Sequence, residues 1–240
     1  QNCIQMPHSP HIVIIGGGAA GFFAAARLAD EAPEVPVTLL EQSPKLLSKV
    51  RVSGGGRCNV AHAVFNIKAL SQRYPRGGKA LYQAFHQFNT RDTIEWFSNK
   101  GVKLKTEDDG RMFPVTDNSD TIVRCLLETA DRGKVQIRTK TWAERIEPTN
   151  LGFNIPLNTG ETLTASHVLV ATGGATKAEH YDWLVALGHS IELPVPSLFT
   201  FNLPDNPITE LMGVATEAEV SIYQTKLKER GPLLITHWGM

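Results

Sequence analysis

The chain is poor in cysteine, and that alone sets several classes of protein aside. Its 240 residues hold three, Cys3, Cys58 and Cys125, odd in number and far apart. Such spacing supports no disulfide framework, no C-x-x-C redox pair and no zinc site, and it fits a reducing, cytoplasmic compartment. An excess of one charge is lacking too. With 24 Lys and Arg against 24 Asp and Glu, no global field draws the chain to nucleic acid or to an anionic membrane. No apolar run reaches the ~20 residues that a bilayer span needs; the longest, Ile12 to Ala26, is broken by glycine. The eight histidines show no H-E-x-x-H spacing, so no metal site is expected. His237 beside Trp238 is the only one to watch. Repeats and low-complexity tracts are missing as well. What remains is an ordinary globular composition, long enough for one large domain or two modest ones.

His11 to Ile15 is a β-branched run expected to form a strand buried on both faces. Gly16 to Gly21 reads as a turn, Ala19 to Ala29 as an Ala-rich helix, and Val37 to Leu40 as the next buried strand, stopping at Glu41. This is the beginning of a βαβ fold. Ser43 to Val60 shows no periodicity and is expected to be a loop. Helices are expected near Lys79 to Phe88 and Arg91 to Lys100, with Gly101 a natural stop. Asn118 or Ser119 can cap another, whose Ile122, Leu126 and Ala130 share one face. After Gly133 the period becomes two. Val135 to Thr139, Trp142 to Glu147, Phe153 to Leu157 and Thr162 to Ala165 read as strands, with a turn at Asn158 to Glu161. His167 to Ala171 is again a buried strand. From Pro194 onward, Pro-spaced β segments (Ser197 to Leu203, Ala218 to Tyr223) suggest a second domain.

Three glycine motifs carry the chemistry. The first, Gly16 to Gly21, contains G-x-G-x-x-G at Gly16, Gly18 and Gly21, with Ala19 and Ala20 between. Gly16 allows a tight turn, Gly18 lets a pyrophosphate approach the helix N-terminus, and Gly21 lets helix and strand pack closely. Glu41, twenty residues after Gly21 and followed by Gln42, is placed to accept bonds from a ribose diol. The second, Lys49 to Asn59, sets Ser53, Gly54, Gly55 and Gly56 among Lys49, Arg51 and Arg57, with Cys58 and Asn59 at its end. Successive glycines can form a nest of N–H donors suited to phosphate or to the electron-rich edge of a reduced flavin. A flexible basic loop has the same composition. Cys58, with no partner cysteine nearby, reads as a structural thiol. The third motif runs through Val170 into Ala171, Thr172, Gly173 and Gly174. It suits a flat or phosphorylated ligand and equally a plain strand-to-helix turn.

These residues resemble a bacterial flavoprotein family of FAD enzymes, of the aminoacetone-oxidase and dehydro-bile-acid-reductase type. The resemblance runs from about His11 to Met240. It is carried most specifically by Ser53 to Asn59, and further by Gly110 to Val115 and Leu233 to Gly239. It implies an α/β architecture: an FAD/NAD(P)-binding Rossmann-like domain of glutathione-reductase type with a β-meander, followed by the start of an inserted β-rich domain. The expected domains are 1–193, binding FAD, and 194–240, the start of the insert. The resemblance further implies FAD pyrophosphate at Gly16, Gly18 and Gly21 and adenosine ribose at Glu41. Flavin contacts are implied around Ser53 to Asn59 and Ala171 to Gly174, with adenine passing Trp142 and Ala143. There are two departures. Relatives often carry a Pro, Ser, Thr and Gly-rich loop after the position of Gly174, where this chain goes directly through Ala175, Thr176 and Lys177 to a short helix. Relatives also continue past the point where this chain stops. The chain is therefore expected to be an amino-terminal part that holds FAD weakly by itself and tends to self-associate.

The leading functional expectation is an FAD-dependent oxidoreductase acting on a small organic substrate, with NADH or NADPH as transient reductant. The cofactor carries such chemistry and the protein supplies position and charge. Arg57 and Lys49 are the candidates for stabilising an anionic reduced flavin or binding an anionic substrate; no catalytic residue can be assigned. A nucleic-acid-modifying flavoenzyme is disfavoured by zero net charge and by the lack of a basic, aromatic-interleaved stripe. A flavin-binding or vestigial protein without catalysis is the alternative of another class.

Overall fold

In a computed structural model, residues 10–175, 177–195 and 200–240 are described. Cys3 and positions 197–199 of an expected strand lie outside them. The chain divides into two compact units. The larger runs up to Ala175 and takes in His180–His189; the smaller comprises Ser190–Met240 with Thr176–Glu179.

The larger unit is built on a parallel sheet of four strands, β1 (Ile12–Ile15), β2 (Val37–Glu41), β6 (Gln136–Thr139) and β10 (His167–Val170), in the order β10-β1-β2-β6. Ile14 pairs with Leu39 on one side and Leu169 on the other. Side chains of a strand alternate between faces, and β1 is apolar on both. Ile14 packs with Phe22, Ala25, Ala26, Leu39 and Leu126, while Val13 and Ile15 join Leu40, Ile155 and Leu157. The strand therefore has a dry layer on each side. The first layer comes from α1 (Ala19–Glu31) and α6 (Asp120–Arg132). They approach closely because Gly133, just past α6, would otherwise place a Cβ 2.1 Å from that of Ala29. Asn118 Oδ1 accepts the Asp120 N–H at 2.8 Å at the start of α6, whereas the Ser119 hydroxyl turns away and donates to Arg51 O at 2.9 Å. The second layer is an antiparallel meander of β7 (Glu147–Thr149), β8 (Gly152–Pro156) and β9 (Thr162–Ala165).

Between β2 and α6 the chain forms further elements, several of them unexpected. Ser43 to Val60 is not a plain loop, because Ser48–Gly56 is helical (α2), with a kink at Ser53, Gly54 and Gly55. Leu47 and Val50 are buried against the sheet layer, and two apolar residues three apart gave too short a period to read. A small antiparallel sheet of β3 (Ala61–His62), β5 (Arg111–Pro114) and β4 (Leu104–Thr106) follows the same pattern of short strands with weak periodicity. The expected helices near residues 79 and 91 are α4 (Gly78–Gln87) and α5 (Thr90–Asn99), preceded by a short α3 (Ile67–Gln72). A capping box between Asn89 and Asp92 starts α5, and Gly101 ends it at φ +78°. Of the expected strand from Trp142 to Glu147 only the last residue is in a strand, as the start of β7. Before it, Ala143 makes an isolated bridge to Leu157, and the Glu144 N–H donates to Pro156 O at 2.9 Å. A short helix does follow Lys177, α7 (Asp182–Val185).

The smaller unit contains one antiparallel hairpin, β11 (Ala215–Ser221) and β12 (Lys228–Leu234), in place of the expected 218–223 strand. Phe201 and Asn202 form no strand, although Asn202 bridges Gly239. Among the described residues no helix is long and apolar enough to cross a membrane.

Candidate dinucleotide-binding site

Parallel sheets bind ligands outside the carboxyl ends of their strands, where the connections on either side of one strand run in opposite directions. Here that strand is β1. The chain leaves it through α1 toward β2 on one side, and β10 arrives on the other. All three glycine motifs converge on its end.

Gly16 leaves β1 at φ +115°. Its N–H donates to Leu40 O at 2.8 Å, and a Cβ on it would stand 2.4 Å from Ala171 O. The first and third motifs therefore touch here, and only glycine fits between them. Gly21 has no room either, since its Cβ would lie 1.9 Å from Gly16 O; this is the close packing of helix on strand that the spacing implied. Gly18 differs. As N-cap of α1 it has ordinary extended angles (φ −88°, ψ −166°) and no side-chain cap, and a Cβ would meet nothing within 4 Å. Open space at Gly18 faces a helix start whose N–H groups lack partners in any α-helix. That combination fits an anionic group.

Glu41 ends β2 half-buried. Its Oε2 accepts the Gly17 N–H at 2.8 Å and its Oε1 the Ser43 N–H at 2.7 Å. The carboxylate thus braces the glycine turn, a task the sequence did not reveal, and each oxygen keeps a lone pair for a ligand hydroxyl. Gln42 is exposed beside it. The Thr141 N–H donates to Glu41 O at 3.0 Å and the Lys140 N–H to Ser43 O at 3.3 Å, which draws the start of the Trp142–Ala143 segment to the same end of the sheet. Trp142 remains 47 % exposed.

The second motif is tied to the first by the Leu47 N–H, which donates to Gly17 O at 3.1 Å. It comes near the third at Lys49, whose Nζ lies 4.0 Å from where a Cβ of Gly173 would be. Ser53, Gly54, Gly55, Gly56 and Cys58 shape the loop. The three glycines have φ of +58°, +69° and +85°, and Cys58 +65°. Gly54 is also crowded, its Cβ position 2.7 Å from Phe113 and 2.9 Å from the Asn59 nitrogen. Gly55 and Asn59 face solvent. Thr172 and Gly174 lie in the open turn after Ala171, and the Ala175 N–H donates to the Tyr181 hydroxyl at 2.7 Å.

Arg57 is not the free cation its sequence context suggested. Its guanidinium pairs with Glu107, lies 3.5 Å from Asp117 and rests 4.0 Å over the Phe113 ring. Hydrogen bonding to Glu107 holds its pKa above the ordinary value, so its charge is already answered within the chain. Neither carboxylate could be found from sequence, being 50 and 60 residues away, in the connection between β4 and β5 and just past β5. Lys49 stays exposed and is the cation this junction offers. Cys58 is buried in the core layer. Desolvation raises its thiol pKa, opposed by the Ser53 hydroxyl, so the folded thiol is neutral at physiological pH. Cys58 and Cys125 are both free thiols. Among the described residues no cluster of three metal-ligating side chains occurs.

Fold and junction together define a Rossmann-type, dinucleotide-binding domain. The sequence places it further: residues 10–224 match the HI0933-like protein Rossmann domain, and the chain belongs to that family. It is 28% identical over 238 residues to the 3-dehydro-bile acid delta(4,6)-reductase of Clostridium scindens, covering 95% of this chain and 57% of that protein. It is also 28% identical over 236 residues to the ribosomal RNA dihydrouridine synthase of Escherichia coli, with the same two coverages. The chain thus spans a little over half the length of these relatives. Among solved structures, THI4 of Thermovibrio ammonificans superposes with a TM-score of 0.50 at 14% identity. The match covers 74% of this chain and 62% of that one and shares the fold.

Proposed function

We propose that this chain is the FAD-binding part of an FAD-dependent oxidoreductase acting on a small organic substrate. The observation that carries this reading is the junction at the end of β1, where Gly18 leaves open space at a helix start beside a braced Glu41. FAD supplies the two-electron chemistry when bound. The chain's residues supply its seat: Gly16 to Gly21, with Ala19 and Ala20 opening α1, hold the pyrophosphate, and Glu41 and Gln42 hold the adenosine ribose. Trp142 and Ala143 border the adenine. Lys49, Ser53 to Asn59 and Ala171 to Gly174 frame the flavin, where the Lys49 ammonium is positioned to offset negative charge. Residues 1–193 form the cofactor domain and 194–240 begin a β-rich domain. A soluble, cytoplasmic protein reduced by NADH or NADPH fits this reading. The test is an absorption spectrum of the purified protein with added FAD, repeated anaerobically with NADH and then NADPH. Bound flavin that bleaches is expected; a chain that takes up no FAD overturns the proposal.

Cys58 has no part in a dithiol cycle on this reading, since it is buried, neutral and, among the described residues, without a neighbouring thiol. Cys58→Ser is expected to leave the rate of flavin reduction within about twofold of the parent. Burial also makes the folded thiol alkylate more slowly at pH 8 than a free cysteine with its pKa near 8.5. A long-wavelength thiolate–flavin band on reduction, lost in the serine variant, would overturn this.

A second reading makes the substrate one uridine of an RNA strand. It is favoured by the similarity to the Escherichia coli ribosomal RNA dihydrouridine synthase. Reoxidation of the reduced flavin by added steroid enone or by ribosomal RNA separates the two readings.

A further inference from the structure

The zero net charge of the chain conceals a segregation. Between Gln42 and Arg91 there are nine Lys and Arg and no Asp or Glu, a formal +9 balanced by −9 in the remainder. Five aromatic residues are interleaved from Phe65 to Phe88. A basic, aromatic-interleaved stripe does exist, and the charge of the whole chain was the wrong scale on which to look for it. Some of its cations are internal, for Arg51 pairs with Asp120 and Arg57 with Glu107. Lys45 and Lys49 flank the start of α2, and the remaining five gather on the α3–α4 hairpin and the start of α5. Among the described residues Lys68, Arg73, Lys79 and Arg91 are exposed and have no carboxylate partner. Arg91 instead lies 4.7 Å over the half-exposed ring of Phe65.

Behind these cations is a cavity of about 400 Å³, within the ordinary range for a small-molecule seat. Leu70, Tyr74, Phe85, Phe88, Asn89 and Thr93 line it, and Arg73 stands in its wall. Tyr74 and Phe85 are inclined to each other with ring centroids 5.5 Å apart. α4 is amphipathic, yet none of its residues is buried, and its Phe85 borders this cavity. The exposed residues of α4 are Lys79, Ala80, Tyr82, Gln83, Ala84, His86 and Gln87, with no Leu, Ile, Phe or Trp tip among them to enter a bilayer. Free cations beside an aromatic slot with amide and hydroxyl groups suit a single-stranded nucleic acid, phosphates on the cations and an unstacked base in the slot.

We propose that the α3–α4 hairpin with Arg91 is a binding face for single-stranded RNA, and that the cavity behind it receives one base. This rests on the second reading above for its partner, but the binding itself needs no flavin. The experiment titrates the protein into a fluorescein-labelled 12-nucleotide oligouridylate and reads anisotropy from 50 to 200 mM salt. Four phosphate contacts on single-stranded RNA give a slope near −3 in log K against log salt, a loss of roughly fifty-fold over that range. Arg73→Gln is expected to flatten the slope by about 0.7, and K68Q/R73Q/K79Q/R91Q together to abolish saturable binding. Leu70→Trp, which fills the cavity, is expected to weaken binding about tenfold with the slope unchanged. Lys134→Gln and Arg145→Gln, outside the stripe, are expected to change neither. Thermal melting of each variant checks its fold, and Arg73→Gln serves if the fourfold variant is unstable. Absence of saturable binding at 50 mM salt, or wild-type binding by Arg73→Gln and the fourfold variant, overturns the proposal. So does capture by phosphatidylserine vesicles that RNA does not displace. No turnover is read, so a failure here leaves the flavin site standing, and a failure to take up FAD leaves this result standing.

Discussion

Gly21→Ala is expected to cost the protein about 3 kcal/mol or more of stability, whereas Gly18→Ala leaves the fold unchanged and removes cofactor affinity. The two glycines belong to one motif but meet different surroundings. A methyl group at residue 21 would lie 1.9 Å from the Gly16 carbonyl oxygen and 3.3 Å from Ile14. The nearer obstacle is backbone just past the central strand, and backbone cannot rotate away as the Ile14 side chain can. α1 must therefore lift from the sheet, and Phe22, Ala25 and Ala26, all fully buried, lift with it. Overpacking ordinarily costs ~1–3 kcal/mol, and a clash with backbone falls at or beyond the top of that range. For a chain of this size the melting temperature is expected to fall by roughly 6–12 °C. At residue 18 the backbone angles suit any residue and no atom lies within 4 Å. The methyl group occupies only the space proposed for the pyrophosphate. FAD is expected to bind at least about tenfold more weakly, or ~1.4 kcal/mol, with melting of the apoprotein unchanged. FAD held as tightly by Gly18→Ala as by the parent would remove the pyrophosphate from α1.

Glu41→Ala is expected to act twice. Without ligand, the N–H groups of Gly17 and Ser43 lose a charged acceptor, each such bond being worth ~1.5–3 kcal/mol. The carboxylate is only half-buried and water replaces part of the loss, so about 2–4 kcal/mol of stability is expected to go. With FAD present, a ribose bond goes as well, and affinity is expected to fall by a further ~1.5–3 kcal/mol in protein still folded. Melting with and without FAD, beside a titration at a temperature where the variant is fully folded, separates the two effects. Unchanged affinity in folded Glu41→Ala would leave Glu41 a brace for the turn and nothing more.

The local signals in the sequence were those of single elements. β-branched runs at residues 12–15, 37–40 and 167–170 announced strands, and the sheet has them side by side. The first two are buried as expected, but the third lies at the sheet's edge with His167 and Leu169 exposed. The G-x-G-x-x-G spacing announced a turn into a helix, and the turn is there. The amphipathic pattern of Ile122, Leu126 and Ala130 announced α6 and its buried face. These follow from chain-local sterics and periodicity. Short strands at Ala61 and Leu104 and the kinked α2 carried too few residues for a period to show.

What tertiary structure alone decided is which distant groups meet. Arg57 and Glu41 both read as residues waiting for a ligand, because a sequence displays a charge without its partner. Folding brought Glu107 and Asp117 to Arg57, and set the Gly17 and Ser43 N–H groups on Glu41. Folding also closed Gly16, where a Cβ would meet the carbonyl of Ala171, a residue 155 positions further along the chain. The sequence by itself determined the dinucleotide fold and the place of its glycine turns, since those are set by backbone freedom and burial within short segments. Which charges remain free for a ligand was settled only in three dimensions, since an ion pair forms wherever the fold brings opposite charges within reach.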